Sequence, residues 1–214
     1  MFRSGQNITN KLFSLDNQVM RVFSLIFDLV VLNLLFIIGS LPLVTVGVSL
    51  TAMYSVTLKM AKREHTSVVK EYLAAYKSNL KQGLLFGLIA CGLVLFLSID
   101  YYYLQLLFPT SINTVKIALI ALSLIGYFIY LYIFPLIARY VYTTKEVYQT
   151  AVKLSLSNLP WNLVLISLNV PIIGLVLYSG MTMIITCLLM IVIGFAGLGY
   201  LQSVIFRKIF AKYE

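Results

Sequence analysis

The chain has 214 residues, 61% of them hydrophobic and only 11% charged, with a formal net charge of +9 and a mean hydropathy of +0.96. Soluble domains average about 45–50% apolar and about 25% charged residues, so apolar surface in this excess needs lipid around it, which excludes an ordinary water-soluble domain. The cations lie in short segments between apolar runs and form no clustered basic face, which argues against nucleic acid as a partner.

A membrane-crossing helix needs about 20 apolar residues. The first candidate runs from about Val19 to Leu41 and is followed by further spans, so it is not read as a cleavable signal. The second, Leu43 to Met60, is short and rich in hydroxyls: Thr45, Ser49, Thr51, Ser55 and Thr57. The others are Gly83 to Leu107, Val115 to Tyr142, Trp161 to Tyr178 and Met181 to Phe206, the last two joined by the tight link Ser179-Gly180.

Six spans with an internal N-terminus place fifteen of the sixteen Lys and Arg residues inside, with only Lys116 outside. The positive-inside rule therefore puts both termini in the cytoplasm. Tyr101, Tyr102 and Tyr103 then mark the outer interface, and Tyr140, Tyr142 and Trp161 the inner one.

Two inner links have helical periodicity. In TSVVKEYLAAYKSNLKQ, Val69, Tyr72, Leu73, Tyr76 and Leu80 fall on one face, and Lys70, Lys77 and Lys81 on another. In KEVYQTAVKLSLSNL, Val147, Ala151 and Leu154 share a face away from Lys145 and Lys153. Such basic amphipathic helices suit the plane of the bilayer interface. Ser78-Asn79-Leu80 also matches Ser157-Asn158-Leu159, and each triplet leads into an apolar span. A parallel repeat of residues 43–107 and 115–180 and a coincidence both remain open. The expected fold class is all-α: one membrane domain over residues 1–214, a polytopic transmembrane helix bundle of about six spans with two cytoplasmic amphipathic in-plane helices.

Asp28 stands inside the first span, about 10 Å of helix beyond Arg21. An acid in hydrocarbon points to function by default. It could form a polar site with Asn33, Thr45 and Thr51, serving a proton or cation. The alternative is structural: Asp28 bonds to hydroxyls or amides of a neighbour and holds the first span against the second. Pro42, with Thr45 and Gly47, marks either a turn outside the membrane or a re-entrant break. Pro135 and Pro171 lie inside apolar runs and are expected to kink them. Gly83, Gly87 and Cys91, spaced four apart on the third span, and Gly194, Gly197 and Gly199 on the sixth, suit close helix contact. Cys91 and Cys187 lie within apolar runs, where a thiol serves as a small packing residue. His65, in a charged turn, is expected to be solvated. No metal spacing, phosphate loop or nucleophile elbow is present, so no catalytic residue, metal ligand or cofactor is assigned.

Asp28 through Asn33, SLPLVTVGVSLTAMYSVTLKM and EYLAAYKSNLKQG together resemble the YesL-like family of bacterial integral membrane proteins. The likeness is strongest over about residues 12–90 and looser to about residue 206. Its most specific element is Leu41, Pro42, Thr45 and Gly47, and Ser157-Asn158-Leu159-Pro160 also fits. The biochemical function of that family is unknown. The resemblance implies a bacterial plasma membrane and an accessory role in carbohydrate uptake, beside an ABC importer or membrane sensor, and it brings no catalytic residues. Two functions are therefore expected: a non-enzymatic accessory subunit, or a small secondary transporter with its polar site near the first two spans.

Overall fold

The computed structural model describes the backbone of residues 4–64, 67–107 and 114–213, with side chains among these from Val19 onward. Its elements are α1 (Ser4–Ser40), a 3-10 turn (Leu43–Thr45), α2 (Val46–Ala61), α3 (Val68–Ser78), α4 (Leu80–Leu107), α5 (Thr114–Arg139), α6 (Thr144–Ser157), α7 (Leu159–Tyr178), α8 (Gly180–Leu189) and α9 (Phe195–Phe210). A π-helical segment, Met190–Gly194, joins α8 to α9. No strand occurs among the described residues. Six helices are long and apolar enough to cross a membrane: Val19–Ser40, Leu43–Ala61, Leu80–Leu106, Thr114–Arg139, Leu159–Tyr178 and Gly180–Phe210. The chain is an all-α polytopic bundle.

Several boundaries differ from the sequence expectation: α4 begins at Leu80 and α9 ends at Phe210, each a turn beyond its apolar run. α1 begins at Ser4, well before the apolar run. α5 ends at Arg139, because the chain is already committed to the start of α6. There Thr143 and Glu146 form a capping box: the Thr143 hydroxyl accepts the Glu146 N–H, and the Glu146 carboxylate accepts the Thr143 N–H at 2.8 Å. Tyr140 and Tyr142 stack in the link, with ring centroids 5.1 Å apart.

α2 is the central helix, packed against α1, α3, α4, α5 and α9. Val48, Ser49, Thr51, Ala52, Val56 and Thr57 are all fully buried. This explains its hydroxyls: protein, not lipid, surrounds it. The Thr51 hydroxyl donates to Gly47 O at 2.9 Å, one turn back. Thr57 donates likewise to Met53 O at 3.0 Å and meets the Ser203 hydroxyl at 2.8 Å. Back-bonding of this kind satisfies a hydroxyl without water and lets small side chains bring helices close.

α3 turns Val68, Tyr72 and Ala75 inward against α2 and α1, whereas Val69 and Leu73 of the expected apolar face are exposed. Burial pushes the Tyr72 phenol up to about 12. On α6, Val147, Ala151 and Leu154 are buried together, in the core that also holds Tyr132, Phe206 and Phe210. α3 and α6 end alike. Asn79 Nδ2 donates to Ala75 O at 2.9 Å, and Asn158 Nδ2 to Leu154 O at 3.0 Å. Each asparagine leads directly into the next long apolar helix, α4 or α7.

Candidate functional site

The four polar residues of the first two spans do not converge. Asn33 is fully buried on α1 and reaches the π-helical segment: its Nδ2 donates to Met190 O at 3.0 Å and Ile191 O at 2.7 Å. Its Oδ1 accepts the Ala196 N–H at 3.0 Å. A π turn disrupts the regular hydrogen-bond ladder, and in a dry interior the displaced groups need other partners. Thr45 bridges the Pro42 turn, donating to Gly39 O and Pro42 O, each at 2.7 Å. Thr51 is spent on its own helix.

Asp28 is half-buried and makes no side-chain hydrogen bond or ion pair with a described residue. It lies five residues before Asn33, about 140° around the helix, so the two side chains leave α1 on different sides. Of the expected group, Asn33, Thr45 and Thr51 thus each make contacts of their own. Asn33 ties α1 to its neighbours, and it ties it to the last apolar helix; Asp28 does not clamp the first span to the second.

Gly83 and Gly87 lie against the first turn of α2. A Cβ built on Gly83 would stand 2.8 Å from Val48 Cα, and one on Gly87 would stand 3.1 Å from Gly47 Cα. Gly47 is equally tight, with Gly83 O 2.3 Å from its would-be Cβ. Backbone approach at this distance requires glycine. Gly194 meets Met190 Sδ at 2.5 Å by the same measure, within its own helical segment. Gly197 has nothing within 4 Å; Gly199, two residues on, is the one against Met53. Cys91 and Cys187 are exposed on the outside of the bundle, and His65 lies outside the described residues.

The sequence analysis missed several amides. Asn162, fully buried on α7, accepts the Tyr132 hydroxyl at 2.6 Å and donates to Ser155 O at 2.6 Å. Gln202 accepts the Tyr54 hydroxyl and donates to Asn169 Oδ1 at 3.3 Å. Arg207 donates to Ala61 O at the end of α2 at 2.5 Å. A lone amide in an apolar run was the available signal, as it was for Asn33. These contacts join α2, α5, α7 and α9 side to side.

Four cations meet elsewhere. A cleft of about 900 Å³ opens between the end of α3 and start of α4 on one side and the end of α5 on the other. Lys59, Lys77, Lys81 and Arg139 line it against one carboxylate, Glu71, with which Lys59 pairs. Gln82 Nε2 donates to Tyr142 O at 2.6 Å across it. The Arg139 guanidinium lies over the Phe210 ring, 5.2 Å from its centroid. The lining suits an anionic group and offers it several donors. A second cavity of about 650 Å³, between α4 and α5, is lined mostly by apolar side chains such as Leu93, Leu97 and Ile120. No group of His, Cys, Asp and Glu among the described residues could hold a metal ion.

No curated protein and no solved structure matches the chain. Residues 29–101 match the family model described as "Protein of unknown function, DUF624". The matched stretch carries Asn33, the Pro42 turn, Gly47, Gly83, Gly87 and one wall of the basic cleft.

Proposed function

We propose that this chain is a non-enzymatic accessory subunit, docking through its basic cleft onto an acidic cytoplasmic segment of a carbohydrate ABC importer or a membrane sensor. The carrying observation is how polarity is distributed. Asn33, Thr51, Asn162 and Gln202 are consumed by contacts within the bundle, while Lys77, Lys81 and Arg139 line one cleft beside the paired Lys59. That pattern fits a scaffold with an external docking place better than a transporter, which needs polar groups gathered around a shared path. Asp28, Asn33, Thr45 and Thr51 gather around none, which speaks for the accessory reading over the transporter one. The link to carbohydrate uptake comes from the YesL-like resemblance. A bacterial plasma membrane and cytoplasmic termini follow from that resemblance and from the placement of Lys and Arg.

The test is purification of the full chain from its native membranes in mild detergent. Importer or sensor subunits should co-purify at fixed stoichiometry, and the Lys77→Glu/Lys81→Glu variant should lose them while keeping its thermal stability. Both lysines are exposed, so the double variant should fold. Absence of any such partner after cross-linking in intact cells would overturn the proposal. So would proton-driven solute uptake by the reconstituted chain alone.

A further inference from the structure

We infer that α1 and α2 form a re-entrant hairpin, entering and leaving the bilayer on one face, so that the chain crosses four times and not six. The first argument is depth. If α2 crossed the membrane, the Pro42 turn would lie on the same face as the α4–α5 connection. It would then meet α4 near its far end. Instead Gly47 and Val48 pack on Gly83 and Gly87, in the first two turns of α4, and Val44 O comes within 3.9 Å of a Cβ built on Gly87. From Gly87, α4 runs on to Leu107, about 30 Å of further helix. That stretch is apolar and exposed, as at Val94, Leu95, Phe96 and Leu106, so it occupies lipid.

The other end of α2 agrees. Thr57 meets Ser203, and Ala61 O accepts from Arg207, both within the last turns of α9. In any alternating path through the bundle, α4 begins and α9 ends on one face. Ala61 thus lies near it, and Gly47 stands about 21 Å of helix back from Ala61.

The second argument is chemical. The turn is greasy and uncovered: Leu41 is 73% and Leu43 78% exposed. Two of its carbonyls nevertheless find partners within the protein. Gly39 O accepts from Thr45 and from the Tyr76 hydroxyl, and Pro42 O accepts both the Thr45 hydroxyl and the Thr45 N–H. Pro42 itself has no N–H to satisfy. A turn in water needs no such partners, whereas one in hydrocarbon does. Such a hairpin also accounts for Asp28. About 18 Å of helix back from the turn, it lies toward the headgroups, where a carboxylate needs no protein partner.

The test uses full-length protein in intact cells and in inverted membrane vesicles, with Cys91→Ala and Cys187→Ala as background. Tyr102→Cys, near the far end of α4, and Lys62→Cys, after α2, report the two faces to a membrane-impermeant maleimide. Leu43→Cys should resist labelling from the face that reaches Tyr102→Cys. A nitroxide on the same cysteine should collide readily with oxygen and poorly with a water-soluble nickel chelate. Leu43 is exposed, so burial in protein cannot explain protection. Labelling of Leu43→Cys as fast as Tyr102→Cys from the same face, or free access of the chelate, would overturn the inference.

Discussion

Asn33 accepts the backbone N–H of Ala196 at 3.0 Å across 163 residues of sequence. With its two donations to Met190 O and Ile191 O, one amide side chain fastens the first apolar helix to the irregular segment of the last. Phe36 and Phe195, with ring centroids 5.2 Å apart, extend the same contact by one turn.

Asn33→Leu should therefore lower stability by about 2 kcal/mol, because the groups it satisfied would stay buried and unpaired. Asp28→Asn should change it by no more than about 0.5 kcal/mol, as expected away from such features. Thermal unfolding in detergent compares the two variants. Faster amide exchange at Ala196 in the Asn33 variant would locate the damage.

The glycines separate in the same way. Gly47→Ala and Gly83→Ala each place a methyl against backbone, with 2.3 Å and 2.8 Å available, so each should cost about 1–3 kcal/mol. Gly197→Ala meets open space within a helix and should stabilise by up to about 1 kcal/mol. Unfolding midpoints of the three variants, measured side by side, decide the order.

Tyr132 and Asn162 supply a coupling test. Tyr132→Phe leaves Asn162 Oδ1 without the hydroxyl it holds at 2.6 Å, at a cost of about 1 kcal/mol. In an Asn162→Leu background the same change should cost clearly less. A double-mutant cycle that shows simple additivity would mean that the bond contributes nothing.

Arg63 ends α2 at φ 60°, in the left-handed region. The Glu64 N–H returns to Lys59 O at 3.2 Å and the Arg63 N–H to Met60 O at 2.9 Å, the pattern of a helix stop that favours glycine. Arg63→Gly should therefore raise stability by about 1 kcal/mol, as a higher unfolding midpoint.

The start of α6 should respond to acid. Hydrogen bonds from the Thr143 backbone N–H and side chain hold the Glu146 carboxyl below its ordinary value. A carboxylate with a lowered folded-state pKa stabilises above its unfolded pKa, and that contribution is lost as pH falls through the folded one. The protection factor of the Thr143 amide, its exchange relative to an unfolded chain at the same pH, should thus be high at neutral pH and fall in acid below the usual glutamate range. In Glu146→Gln that protection factor should no longer change with pH there.

Much of this protein is legible locally. Apolar runs of spanning length, the periodicity of α3 and α6, and the break at Pro42 follow from hydropathy, the 3.6-residue turn and proline's missing donor, none of which needs a partner helix. The site was less legible, because its residues act through neighbours that are distant in sequence. Asp28 draws notice as the only acid in its run, yet Asn33 makes the contacts, because five residues along a helix turn a side chain to another side. The role of Gly47 depends on Gly83 and Gly87, and the exposure of Gly197 on which face of α9 meets α2.

By itself, then, the sequence determined that the chain is an all-helical membrane protein and where its apolar helices lie, since lipid burial acts on each segment separately. Only the tertiary structure decided which polar residues bind helices together, which cations line the cleft, and which helix the Pro42 turn packs against. Those depend on which faces of distant helices meet, and packing, unlike hydropathy, is not a property of any one segment.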